Sequence, residues 1–245
     1  MASDRRDYTR DEYYAAQDQE TGWSHEHIVP MDKMHAKNFI SYLHQTKRLK
    51  SDGTDSFCDF GGNDGTGAEE LRKLSGGVAT CYDMAHDRAY KGKRLYPSVN
   101  FVIGPMEAID MKDDAVDWGF TIQSLEHTRD VVAVMSELAR VCRYGAYMAL
   151  PVEHCRSFKK NYAHIYHTTD MAQWVRWAAD AGFRLCEWAK TFNGFWYEGE
   201  DEDKLMVTGP ELIYIFTLPP DKYFDNYDVM GWYRDMDITH VGKCK

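Results

Sequence analysis

The sequence predicts a doubly wound α/β domain built on a mostly parallel sheet of seven strands. From Phe57 onward, short apolar runs typical of strands alternate with amphipathic segments typical of helices. The segments between the strands are long enough to bring each new strand back parallel to its neighbour. With 245 residues, the chain can form one large α/β domain with a sizeable core.

The first part of the chain is predicted to be an N-terminal extension followed by a helix. Residues 1–31 are polar and aromatic without a clear period, and Asp32 can cap a helix that carries Phe39 and Leu43 on one face. A polar loop at residues 50–55 ends this helix. The chain is therefore divided into residues 1–50, a main domain at residues 51–220, and an aromatic tail at residues 221–245.

The elements of the main domain follow one another in a regular order. Helices are predicted at about residues 67–74, 86–94, 131–143 and 169–180, bounded by glycine and proline. Strands are predicted at residues 56–60, 78–82, 100–103, 117–122, 147–151, 183–191 and 211–218.

Charge and hydropathy exclude several classes of function. Acidic residues outnumber basic ones by 39 to 29, which gives a net charge of −10 and no cationic surface for duplex DNA or long RNA. No apolar stretch approaches the roughly 20 residues of a membrane span. The first residues lack the apolar core of a secretory signal, so we expect no membrane association and a cytoplasmic location.

A glycine-rich turn between the first strand and the following helix is the strongest functional motif. The buried-type strand FCDF runs into the segment from Gly61 to Gly67. Such turns bring backbone close to a ligand, and they serve NAD and FAD as well as other nucleotides. Here Asp59 precedes the turn and the third glycine of the dinucleotide fingerprint is missing, which favours a ligand with an ammonium group. Asp83 follows Gly61 by 22 residues, the spacing of a carboxylate that binds ribose hydroxyls.

This first motif resembles that of the class I S-adenosylmethionine-dependent methyltransferases of the small-molecule type, in the variant D-x-G-x-N-D-G-T. Asn63 stands in place of the usual middle glycine, and asparagine tolerates left-handed backbone angles better than most residues. Further motifs follow in the family's order between about residues 57 and 218. They are Asp117, the tract from Ser124 to Asp130, the helix end from Glu137 to Val141, Tyr144-Gly145, and Ala181-Gly182-Phe183.

The resemblance implies a Rossmann-like methyltransferase fold with strand order 3-2-1-4-5-7-6, the seventh strand antiparallel, and S-adenosyl-L-methionine as the cofactor. The residues that it assigns to the cofactor are Asp59, Gly61, Asn63, Gly65, Asp83, Met106, Gln123 and His127. The chain departs from the family after the third strand, where Gly104-Pro105-Met106 replaces the common G-D-A. Glu107 could reach the adenine only through a different loop path, so Met106 is expected to supply packing and backbone contacts.

A general base for the acceptor should come from the loops that follow the fourth and fifth strands. The candidates are His127, Glu153, His154, His164 and His167. Imidazole titrates near neutral pH, and His164 and His167 lie where the family often builds its substrate site. We therefore expect His167, and next His164, to be catalytic.

The sequence predicts no metal site. No Cys-x-x-Cys pair occurs, and a set made of His164, His167 and His154 or Cys155 has no supporting carboxylate pattern. His25-Glu26-His27 is interpreted as a solvated loop, with a ligand pair as the alternative.

The expected activity is in-line methyl transfer to a small-molecule or short-peptide acceptor. Two other functions stay open: a catalytically inactive binding or assembly module on the same fold, and an NAD-dependent oxidoreductase, which Asp59 disfavours. The N-terminal segment could cover the cofactor as a lid, and the aromatic tail could pack on the domain or form a homodimer.

Overall fold

The structure is a computed structural model that describes residues 25–151, 171–191, 211–217 and 238–242. The helices are α1 His25–Gln45, α2 Thr66–Ser75, α3 His86–Leu95, α4 Val131–Val141 and α5 Met171–Asp180, with a short 3-10 helix at Leu125–His127. The strands are β1 Ser56–Phe60, β2 Val78–Asp83, β3 Asn100–Ile103, β4 Val116–Ile122, β5 Cys142–Pro151, β6 Arg184–Thr191, β7 Glu211–Thr217 and β8 Ile238–Gly242.

The strands of the described residues form one sheet in the order β3-β2-β1-β4-β5-β7-β6-β8. Strands β1 to β5 are parallel, and β7 runs antiparallel to both β5 and β6. The predicted doubly wound α/β fold is confirmed. The predicted count of seven strands is wrong, because β8, from the aromatic tail, pairs antiparallel with β6 and extends the edge of the sheet.

Several predicted boundaries differ from the structure, and the two largest differences are at the starts of α1 and β5. Helix α1 begins at His25, so Asp32 lies inside the helix and is not its N-terminal cap. Strand β5 begins at Cys142, directly after α4, although the sequence predicts its start at Tyr147. Gly145 does not end the preceding helix. It pairs within the sheet with Trp118 and Thr217.

Helix α1 is part of the core on one face of the sheet. Phe39 is fully buried and contacts the rings of Phe57, Trp118, Phe120 and Tyr147, with ring centroids 5.2 to 6.4 Å away. Aromatic contacts of this kind add to the stabilisation from buried apolar area. The opposite face of the sheet is covered by α4 and α5, which bury Leu138, Trp174 and their apolar neighbours. The domain is therefore layered helix, sheet, helix.

A buried carboxylate fixes the amino-terminal edge of the sheet. Asp117 accepts hydrogen bonds from the ammonium of Lys50 at 2.8 Å and from the hydroxyl of Ser56 at 3.0 Å. Burial raises the pKa of Asp117, but the hydrogen bonds from Lys50 and Ser56 outweigh that effect and hold it below its usual value. This edge lies opposite the carboxyl ends of the parallel strands, where ligands bind in open α/β sheets.

No helix in the described part of the chain combines the length and the hydropathy needed to cross a membrane.

Candidate functional site

The turn after β1 has the left-handed backbone that its sequence predicts. The φ angles of Gly61, Asn63 and Gly65 are +74°, +54° and +82°. Gly65 then caps helix α2 at its amino end. Asn63 has the left-handed backbone that the sequence predicts for it, and its place in a variant of the family motif stays a prediction.

Each glycine of this turn has a neighbour inside the protein that leaves no room for a side chain. A Cβ atom on Gly61 would overlap the hydroxyl of Ser124, and one on Gly65 would come within 2.7 Å of the Phe101 ring. A Cβ on Gly62 would lie 2.8 Å from the Asp59 carboxylate. The glycines are therefore needed for packing within the protein, in addition to any close approach to a ligand. The turn is fixed in shape before a ligand arrives.

The amide groups of the turn are also occupied within the protein. Gly61 N–H donates to Tyr82 O at 2.8 Å, Asn63 N–H donates to the Asp83 carboxylate at 2.8 Å, and Gly65 N–H donates to Gly62 O at 2.8 Å. Phosphate-binding turns present free amide donors to their anion. This turn uses three of its amides internally, so it is better suited to a ligand that is not held through phosphate.

Asp59 lies beneath the turn with 4% of its surface exposed. Its carboxylate packs against Gly62 and Gly67 and accepts a hydrogen bond from the backbone of Ala68, in the first turn of α2. Burial, together with the nearby Asp83 carboxylate, raises the pKa of Asp59 to about 8. A cationic group placed beside a buried carboxyl in this environment would stabilise its charged form.

Asp83 ends β2 and links two turns of the backbone. One carboxylate oxygen accepts from Asn63 N–H and the other from Ala85 N–H, both at 2.8 Å. Burial raises the pKa of Asp83, and its hydrogen bonds and Arg88 counteract this only in part. Each carboxylate oxygen has a second lone pair, so Asp83 can still accept hydrogen bonds from a ligand.

The loop after β3 is attached to its neighbours by side chains. The Tyr82 hydroxyl lies 3.3 Å from Pro105 O, to which it donates, and 3.3 Å from Asp110 N, from which it accepts. The terminal methyl of Met106 would lie 3.7 Å from a Cβ on Gly61, which places Met106 beside the glycine turn. The Glu107 carboxylate accepts a hydrogen bond from Arg129 N–H at 3.0 Å. Glu107 therefore links the loops that follow β3 and β4.

The turn after β4 completes this edge of the sheet. Gln123 has a φ angle of +46°, which is uncommon for a residue with a side chain, and its N–H donates to Ala149 O at 2.8 Å. Ser124 is 8% exposed and directs its hydroxyl to the backbone of Ile122 and Gly61. His127 is partly buried in the 3-10 helix, and its N–H donates to Ser124 O at 3.1 Å.

The structure brings the residues predicted for the cofactor to one edge. They lie at or after the carboxyl ends of β1, β2, β3 and β4, and they are Asp59, Gly61, Asn63, Gly65, Asp83, Met106, Gln123 and His127. Their contacts with a cofactor stay predictions. The predicted bases His164 and His167, and the alternatives Glu153 and His154, lie outside the described residues.

The sequence predicts no role for two residues of this edge, Tyr82 and Ser124, although Ser124 begins one of the motif tracts. Their roles depend on contacts across the sheet that no local pattern shows. Among the residues that the structure describes, no cluster of three or more His, Cys, Asp or Glu side chains could hold a metal ion.

Residues 58–150 match the sequence model of a methyltransferase domain. No curated protein matches the chain in sequence. The matched segment runs from β1 to the end of β5 and so contains every predicted cofactor residue.

Solved structures with the same fold include several methyltransferases. One is a chain from the complex between the Haloferax volcanii Trm112 methyltransferase activator and a proposed methyltransferase. It is 16% identical to this chain, with a TM-score of 0.60, and the match covers 79% of this chain and 95% of that one. A proposed methyltransferase of Bacillus halodurans is 16% identical, with a TM-score of 0.58 and coverage of 74% and 98%. A geranyl diphosphate methyltransferase, solved with S-adenosylmethionine, is 11% identical, with a TM-score of 0.58 and coverage of 76% and 84%.

At these identities the solved structures show the fold, and the domain match shows the class. The cyclase SpnF shares the fold at 16% identity and a TM-score of 0.57, with coverage of 74% and 80%, so the fold alone does not define a reaction. Together, the methyltransferase domain and the fold identify the chain as a methyltransferase enzyme.

Proposed function

We propose that the chain transfers a methyl group from S-adenosyl-L-methionine to a small-molecule or short-peptide acceptor. The observation that carries the proposal is the chemistry of the turn after β1. Asp59 and Asp83 place two carboxyl groups there, and the amides of Gly61, Asn63 and Gly65 are already occupied. This edge favours a cationic amino acid joined to a ribose over a dinucleotide held by its pyrophosphate.

The two carboxyl groups have separate roles in this proposal. Asp59 pairs with the ammonium of the cofactor, because a cation beside a buried carboxyl stabilises its charged form. Asp83 accepts hydrogen bonds from the ribose hydroxyls, and Met106 packs near the adenine. The cofactor supplies the electrophilic sulfonium methyl, so the protein has to align the acceptor with that methyl and, where the acceptor carries a proton, remove it.

We place the base that removes the acceptor's proton in the segment between β5 and α5. His167 is the first candidate for the base and His164 the second, as the sequence predicts. Imidazole titrates near neutral pH, which suits a general base. Loss of the base should reduce turnover and leave cofactor binding unchanged.

The charge of the chain supports the proposed acceptor class. A net charge of −10 disfavours nucleic acid and leaves small molecules and short peptides. The proposal includes one protein partner, a second copy of the chain that binds through the aromatic tail. A protein of the same fold also binds a different protein, the Trm112 activator, in the Haloferax volcanii complex.

Calorimetry with S-adenosylhomocysteine, the product of the cofactor, tests this proposal without knowledge of the acceptor. The wild-type protein should bind it and should not bind NAD. Replacing Asp83 with Ala should weaken binding about 10- to 100-fold, the range for hydrogen bonds to a charged group. Asp52→Ala is the matched control, because Asp52 is an exposed carboxylate at the opposite edge of the sheet.

Three results would contradict the proposal or part of it. Binding of NAD in place of S-adenosylhomocysteine would favour the oxidoreductase. Equal affinity in the wild type and in Asp83→Ala would remove Asp83 from the site. Binding without methyl transfer to any compound of a broad acceptor screen would favour the inactive module.

A further inference from the structure

The turn after β4 contacts the glycine turn through one hydroxyl group. Ser124 Oγ lies 2.9 Å from Ile122 O and 3.3 Å from Gly61 O, and both carbonyls can accept from it. Ser124 is 8% exposed, so this contact is shielded from water. A Cβ on Gly61 would overlap both Oγ and Cβ of Ser124, which shows that the two backbones approach each other closely at this point.

The backbone of the β4 turn is held in an unfavourable conformation just before Ser124. Gln123 has a φ angle of +46°, a value that costs free energy for a residue with a side chain. On one side, Gln123 N–H is fixed to Ala149 O of β5 at 2.8 Å. On the other side, the Ser124 hydroxyl reaches Gly61. Backbone strain of this kind persists where the surrounding contacts determine the conformation, and it often marks functional sites.

We propose that Ser124 is a positioning residue for the cofactor site: it acts through Gly61 and fixes the orientation of the glycine turn toward the amino-acid end of the ligand. This inference rests on the proposed function. Ser124 needs no contact with the ligand, because its single hydroxyl proton is donated within the protein, to Gly61 O or to Ile122 O. Gly61 has no side chain, and this leaves room for the Ser124 hydroxyl against its backbone.

The first test is the affinity for S-adenosylhomocysteine of Ser124→Ala. Loss of one hydrogen bond that orients the turn should weaken binding about 3- to 10-fold. Ser136→Ala is the matched control, because the Ser136 hydroxyl also donates to a backbone carbonyl, Val132 O at 2.8 Å, on the exposed side of α4. The control should bind like the wild type. Thermal unfolding without ligand, measured on both variants, separates a change in stability from a change in affinity.

The second test is a double-mutant cycle between Gly61 and Ser124. Gly61→Ala in the native background should weaken binding more than about 30-fold, because the new methyl overlaps the Ser124 side chain. In the Ser124→Gly background that overlap is absent, so the same substitution should cost less than about 10-fold, the remainder coming from the positive φ angle.

The outcomes separate this inference from the proposed function. A wild-type protein that does not bind S-adenosylhomocysteine refutes the proposed function and, with it, this role of Ser124. If the wild type binds, equal affinity in Ser124→Ala refutes the positioning role alone. A Gly61→Ala penalty that is the same in both backgrounds also refutes it. If Ser124→Ala lowers the unfolding temperature without changing affinity, Ser124 is a structural residue only.

Discussion

Binding of the cofactor or its product should release almost one proton from Asp59 near neutral pH. The carboxyl of Asp59 is 4% exposed, and the charged groups that act on it, Asp83 and Asp64, are both acidic. The neighbouring thiols of Cys58 and Cys81 have raised pKa values because they are buried, so they stay neutral. Burial and the acidic neighbours raise the pKa of Asp59 to about 8.

The size of the effect follows from this pKa. A carboxyl with a pKa of about 8 carries its proton in about nine-tenths of molecules at about pH 7. Pairing with an ammonium requires the charged carboxylate, so binding should release about 0.9 proton at that pH. By linkage, affinity should rise close to tenfold for each pH unit between about 6 and 7, and this dependence should level off above about 8.

The raised pKa of Asp59 also determines how the free energy of unfolding changes with pH. An aspartate has an ordinary pKa of 3.8, so between that value and about 8 the native state holds a proton that the unfolded state has lost. The contribution of Asp59 to the free energy of unfolding should therefore decrease as the pH rises through this window. Asp59→Asn keeps an acceptor for Ala68 N–H and removes the titration.

Calorimetry at about pH 7 in two buffers with different ionisation enthalpies measures the protons released. The wild type should release about 0.9 proton per ligand, and Asp59→Asn should release close to none. Thermal unfolding shows whether the variant is folded. A wild type that binds without releasing a proton, or an Asp59→Asn variant that releases as many as the wild type, would refute the pairing of Asp59 with the ligand.

Three further predictions concern other residues. Glu107→Ala should weaken S-adenosylhomocysteine binding about 3- to 10-fold in calorimetry, because it detaches the β3 loop from the β4 loop, whereas Glu107→Gln keeps the acceptor oxygen and should bind like the wild type. Asp117→Asn should lower the free energy of unfolding by about 1.5–3 kcal/mol near neutral pH, measured with denaturant, through the weakened bond to Lys50. Because the pKa of Asp117 is lowered, this difference should shrink as the pH falls below 3.8, and a constant difference would contradict it. His167→Ala, and to a smaller extent His164→Ala, should reduce turnover about 10²- to 10⁴-fold at unchanged cofactor affinity, and near-native turnover in both would exclude them as bases.

The local pattern of the sequence predicts the first strands of the domain well. The bounds of β1 and β3 agree with the structure because apolar runs flanked by turn residues define both ends. Strand β5 starts earlier than predicted because Gly145, which is typical of a helix end, lies inside the sheet. Helix α1 begins before Asp32, and its burial against Phe57 and Phe120 stabilises it where helix propensity alone would not.

The site is predicted less completely, because much of it depends on contacts distant in sequence. The motif shows that Gly61 and Gly65 are needed, but the sequence explains them only by the turn of the backbone and the approach of a ligand. The structure adds Ser124, which is 63 residues from Gly61, and Phe101, which contacts Gly65. Likewise, the bond from Arg129 N–H to Glu107 joins loops whose proximity depends on the order of the strands.

A crystal structure of the protein with S-adenosylhomocysteine would show directly whether Asp59 and Asp83 hold the cofactor. We expect the ligand at the carboxyl edge of β1 and β2, with its ammonium beside the Asp59 carboxyl and its ribose hydroxyls within hydrogen-bond distance of Asp83. The glycine turn should keep the backbone conformation that it has here, with Gly61 still in contact with Ser124. Ligand density at another edge of the sheet, or a ribose that does not reach Asp83, would contradict this expectation.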